Sequence, residues 1–100
     1  MKQHKYKISV EHITDATGNP STYAEALEFT TYNHDDIFKV LGFIQKTELL
    51  DGESAKAFAV GLKLFGEVLL EHKDVPLFQA FMPQFVQFMK ALKKSAPNEI

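Results

Sequence analysis

The stretch from Asp51 to Lys73 constrains the fold more than any other part of the chain. Phe58, Leu62, Phe65, Leu69 and His72 recur at steps of three and four, with Gly61, Leu64 and Val68 beside them. Apolar residues at that spacing make one stripe of an α-helix. Lys56, Lys63, Glu67 and Glu71 fall on the opposite side, while Val60 and Leu70 lie off the stripe and predict cover on more than one flank. Asp51-Gly52 supplies the opening of this helix. A long central helix of this kind needs other elements to bury its stripe, so the rest of the chain is read as material packed around it. Phe65, mid-stripe, is expected in the core.

The chain has the means to supply that material. Its 100 residues suit a single domain, 1–100, with 1–4 and 95–100 expected as tails. Hydrophobic residues make up 45% and charged residues 24%, which is the composition of a packed globular domain. A formal net charge of -2 gives no strong field toward nucleic acid or anionic membrane. All 11 basic residues are lysine, and bidentate recognition of phosphate or guanine edges is mostly arginine chemistry. Neither nucleic acid nor membrane is therefore expected as a partner. The chain has no cysteine, which removes disulfides, thiolate metal sites and a thiol nucleophile. The first ten residues carry charge with no long apolar run behind them, so a secretory signal is not expected, and the expected setting is cytoplasmic.

Ahead of the central helix, Lys5 to Ile13 alternates. Tyr6, Ile8, Val10 and His12 share one face and Lys5, Lys7, Ser9 and Glu11 the other, as in a half-buried strand. Thr14 to Pro20 carries turn residues, and Tyr23 to Tyr32 reads as a second strand, with a helical start at Ala24 to Ala26 as the alternative. Loop length and face parity predict a hairpin with Ile8 against Leu27, Tyr6 against Phe29 and Lys7 against Glu28. That register also sets Glu25 opposite Val10, so pairing is expected to loosen toward the loop. Asn33, with Asp36 three residues on, suits an N-cap, and Ile37, Val40, Leu41 and Ile44 make the stripe of a first helix ending near Lys46. After the central helix, Asp74 and Pro76 mark a new helical start and Pro83 an interruption. The reading is a short helix over 75–81 and a last one over 83–94, with Phe85, Phe88, Met89 and Leu92 inward.

Motifs for catalysis are incomplete. Ser54 would need lysine at position 57 for a Ser-x-x-Lys pair, and alanine stands there, so Ser54 reads as a first-turn residue. His34-Asp35-Asp36 and Glu71-His72-Lys73-Asp74 group metal-ligand types, yet neither has histidines at i, i+4. His34 reads as belonging to a helix's first turn, His72 to a last turn where it can meet free carbonyls, and His12 to the edge of a core. No catalytic, cofactor-binding or metal-ligating residue is assigned, and no cofactor is expected. The unusual feature is aromatic: Phe78, Phe81, Phe85 and Phe88 arrive with Met82 and Met89 within a dozen residues. They read either as core alone or as core with an exposed surplus able to bind a partner.

Tyr6-Lys-Ile-Ser-Val-Glu11, Asn33-His-Asp-Asp-Ile-Phe38 and Leu62-Lys-Leu-Phe65 together resemble a family of short bacterial proteins catalogued only as a domain of unknown function. The resemblance spans nearly the whole chain and implies a compact bacterial domain. It brings no activity, cofactor or residue role.

The expected fold is α+β, an N-terminal antiparallel β-hairpin followed by three to four helices packed on one face. A lone hairpin is a marginal sheet. Together with the aromatic surplus, it suggests a non-catalytic module that self-associates as a homodimer. The rival is a small-molecule binder or enzyme with a Phe/Met-lined pocket and a histidine or carboxylate at its mouth.

Overall fold

The computed structural model describes residues 3–96. The fold is α+β: a two-stranded antiparallel hairpin, β1 (His4–Val10) and β2 (Leu27–Asn33), precedes three helices, α1 (Ile37–Thr47), α2 (Gly52–Glu71) and α3 (Pro76–Ser95). The chain divides into two compact units between His34 and Asp35. Of the expected tails, Met1, Lys2 and 97–100 lie outside the described residues, whereas His4 opens β1 and Ser95 closes α3.

In the first unit the strands keep the expected faces but not the expected register. Ile8 pairs with Phe29, Tyr6 with Thr31, Lys7 with Thr30 and Val10 with Leu27, a slip of two residues. A slip of two preserves the side of every side chain, so the apolar face survives intact. The slip originates in unequal arms beyond the ladder. Thr14 bridges Pro20, which leaves three residues on one side and six on the other before Val10 and Leu27 meet. The strand expected from Tyr23 is therefore not formed over 23–26, and β2 starts at Leu27. On the polar face, Glu28 accepts from Ser9 at 3.2 Å and lies 3.7 Å from the Lys7 ammonium, both in solvent.

The second unit is built around α2. Asp51 caps its start, its carboxylate accepting from the Ser54 N–H at 2.7 Å. Asp36, rather than Asn33, caps α1, accepting from the Phe38 and Lys39 N–H groups, because Asn33 is already the last residue of β2. Ile37 and Ile44 are buried, as the first-helix stripe predicts, and Glu48 ends the helix in the left-handed region at φ 58°.

The central stripe is rotated from its expected position. Ala55, Ala59, Leu62, Gly66 and Leu69 are buried, while Phe65 is 47% exposed and His72 lies in solvent. The period was legible and the phase was displaced toward the large side chains. Small residues form the contact because they let backbones close in; the rings of α2 stand on its flank instead. Glu67 is buried too, on the side expected to be polar. Lys63 on that side is largely covered and pairs at 2.5 Å with Asp35, just ahead of α1.

One helix, not two, follows. Pro83 sits inside α3, which runs unbroken from Pro76. Proline there forfeits one backbone hydrogen bond and crowds the preceding turn, at a cost of about 3 kcal/mol. Continuity is what keeps Phe78, Phe85, Met89 and Leu92 on a single side, so splitting the helix would forfeit more apolar contact than the proline costs. Gln84 adds local support: with its amide nitrogen turned inward it lies 3.1 and 3.2 Å from the Ala80 and Phe81 carbonyl oxygens. Ile44, Ala55, Ala59, Leu62 and Leu92 form the core of the unit, with Phe58, Phe85 and Met89 packed against it.

Candidate functional site

Rings join α2 to α3. Phe58 meets Phe88 edge to face at 6.2 Å, and Phe65 meets Phe81 at 5.9 Å and Phe85 at 6.1 Å. Low numbers on α2 thus meet high numbers on α3, and the helices run antiparallel. Phe85 is the wedge. A Cβ built on Gly66 would lie 3.1 Å from its ring, so the missing side chain makes room for an aromatic side chain against the backbone. Phe78, Met82, Phe85 and Met89 are half-buried, whereas Phe81 and Phe88 are 41% and 46% exposed. The aromatic segment is therefore core with a surplus.

That surplus has an order. On α2 the exposed Phe65 borders α3, with exposed Val68 three residues on; on α3 the exposed Phe81 and Phe88 border α2, with exposed Leu77 one turn before Phe81. Gln84 is the polar member of this α3 row, and no lysine or acid stands in either row. A second apolar surface lies on the hairpin, where Val10, Leu27 and Phe29 are 54%, 64% and 43% exposed on one face.

Each ionisable candidate has its own local setting. Ser54 is a first-turn residue of α2, as expected. Asp35 and Asp36 are engaged by Lys63 and by the α1 N-terminus, and His34 precedes the helix instead of entering its first turn. His72 follows α2, its backbone N–H donating to the Val68 carbonyl at 3.0 Å. His12 lies beyond the end of β1, its Nδ1 2.6 Å from Ser21 Oγ and its ring edge-on to Tyr23. Among the described residues no three of His, Asp and Glu gather as metal ligands.

One local structure went unread in the sequence beyond its turn chemistry. The Asp15 carboxylate collects the Thr17 N–H and hydroxyl and the Asn19 N–H, each at 2.9 Å, with Gly18 at φ 93° closing the loop. The Thr17 hydroxyl, then the Asn19 N–H, hold this carboxyl below its ordinary range. Aspartate two residues before a threonine and three before a glycine was the available signal.

A hairpin followed by an antiparallel helical layer with an aromatic seam places the chain in a definite α+β class. Residues 4–94 match the model of a family described as a domain of unknown function with solved structure, DUF3861. The chain belongs to that family. Its fold is similar to the crystal structure of a protein of unknown function from Pectobacterium atrosepticum SCRI1043, with a TM-score of 0.79 and 36% sequence identity, over 93% of this chain and 99% of that one. No curated protein matches the sequence. No described helix is long and apolar enough to cross a membrane.

Proposed function

We propose that this protein is a non-catalytic interaction module that works by self-association, as a homodimer, in a bacterial cytoplasm. The observation that carries the reading is the half-exposed row of Phe65, Phe81 and Phe88 beside a core that is already closed by Ile44, Ala55, Ala59 and Leu62. Those rings do not fill the interior; they cover its flank and keep nearly half of their surface in water. Burying them gains about 25 cal/mol per Å² of apolar surface. Ordering and lost freedom on association offset part of that gain. The rival, a small-molecule site, calls for polar groups converging on the apolar surface. Here the row offers a single amide, Gln84, while His12, His34 and His72 stand in other parts of the chain. Light scattering over a dilution series tests the reading. A mass of twice 11.3 kDa at micromolar concentration is expected, and 11.3 kDa at every concentration would overturn it.

A further inference from the structure

Which surface meets which is a separate question, and its answer rests on the self-association just proposed. We propose that a second copy of this chain docks on the α2–α3 face, so that each copy's α2 lies on the other's α3 and the four helices form an antiparallel bundle.

Area is the first argument. Both helices have 20 residues and so run about 30 Å. Packed helices lie about 8–10 Å apart, so the face is about 20 Å wide and projects on the order of 600 Å². Accessible surface exceeds projected area, which brings the face to the roughly 800 Å² per partner of a stable association. The exposed hairpin face is shorter, with seven residues in each strand.

Charge selects the arrangement. The lysines of α3, Lys90, Lys93 and Lys94, gather at its C-terminal end, and the helix contains no acid. The first turn of α2 carries Glu53, 90% exposed and 3.3 Å from the Lys56 ammonium in solvent, beside the Asp51 cap. Phe58 is level with Phe88 and Phe65 with Phe81, so Glu53 is level with the lysine end of α3. Within one copy Glu53 and Lys94 both lie on the sides of their helices away from the core. A two-fold axis parallel to the helices sets α2 on the second copy's α3 at the same level, and Glu53 then meets Lys94 of the second copy twice over. The alternative two-fold stacks each helix on its own equivalent, which sets Glu53 at the Glu71 end of the second α2, acid near acid, while the lysine end comes over Leu77 and Asp74.

Three variants measured by sedimentation or light scattering decide the matter, with circular dichroism to check folding. Phe65→Glu with Phe81→Glu is expected to weaken the dimer at least about a hundredfold, as loss of buried central aromatics does. Glu53→Lys, which also breaks the 3.3 Å pair with Lys56 and so is read only where circular dichroism shows the fold kept, is expected to weaken it a few-fold to about tenfold, and adding Lys94→Glu is expected to restore it. Leu27→Glu, on the hairpin face, is expected to leave the dimer intact. A wild-type chain that stays monomeric overturns the proposed function itself. A dimer that survives the double glutamate variant, or that Leu27→Glu dissociates, overturns the docking face while self-association stands. Failure of Lys94→Glu to rescue Glu53→Lys overturns the helix pairing.

Discussion

Helix α2 has two neighbours, and it meets them differently. Toward α1 it presents Ala55, Ala59 and Leu62 to Ile44, and these residues are 0%, 1%, 9% and 1% exposed. Toward α3 it shares that sealed core only through Leu92; beyond it, Phe58, Phe65 and Gly66 meet Phe81, Phe85 and Phe88, and three of those five rings keep over 40% of their surface in water. Alanine lets backbones approach and seal, whereas phenylalanine spans a wider gap and leaves its outer edge uncovered. The first junction is where stability is concentrated; the second holds the helices together and also leaves a surface.

The sharpest way to break that distinction is to truncate one side chain in each junction. Ile44→Ala should cost about 2–5 kcal/mol, because a fully enclosed aliphatic side chain leaves a cavity. Phe65→Ala should cost about 1.5–2.5 kcal/mol, roughly half the usual penalty for a buried phenylalanine, because 47% of the residue is already exposed. Chemical denaturation at dilutions where association is absent measures both. If Phe65→Ala proved the more damaging, the α2–α3 junction would be the core and the ranking would reverse.

That ranking also explains what the sequence made legible. The helical period of 51–73, the Asp51 opening, the strand faces and the α+β order all follow from local chemistry, and each is present in the structure. The helix phase was not legible, because hydrophobicity weights Phe65 far above Ala59 or Gly66, while close approach favours the small residues. Pro83 read as a break because its local cost is plain, whereas the gain from keeping Phe78 and Leu92 on one side is tertiary. The hairpin register was missed by two because nothing local shows that 21–26 holds more residues than the opposing arm. For the candidate surface, the aromatic cluster was visible at once; its exposed half could be located only after the α2–α3 antiparallel arrangement was known.

Two glycines sharpen the comparison at smaller scale. Gly66 lies under the Phe85 ring, and that ring is held by Phe65 and Phe81 at 6.1 and 6.2 Å. Gly66→Ala therefore trades a helix-propensity gain against overpacking and should lose about 1 kcal/mol net. Gly42 in α1 has nothing within 4 Å of a built Cβ, so Gly42→Ala should gain about 0.5–1 kcal/mol. Thermal melts of the pair test this, and a shift of the same sign in both would mean that Phe85 moves aside freely.

The smallest effect concerns the end of α2 nearest the sealed junction. Asp51 accepts from the Ser54 backbone N–H, and that bond holds its carboxyl below its ordinary 3.8. A group whose folded value is depressed stabilises the fold in its ionised form. Its contribution is thus complete above 3.8 and fades as pH falls through the lower folded value. Asp51→Asn keeps a good capping side chain but removes the charge that favours the positive helix end. The variant should be slightly less stable than the wild type at neutral pH, and the gap should close in acid. Asp15, whose carboxyl is depressed in the same direction, is unchanged in this comparison and cancels from the difference. Because Ala55 lies in the turn that Asp51 caps, hydrogen exchange at Ala55 and Ala59 should quicken in the variant before exchange near Gly66 does. Equal quickening along the whole of α2 would mean that its two junctions open as one unit, and the contrast between them would then be one of packing alone.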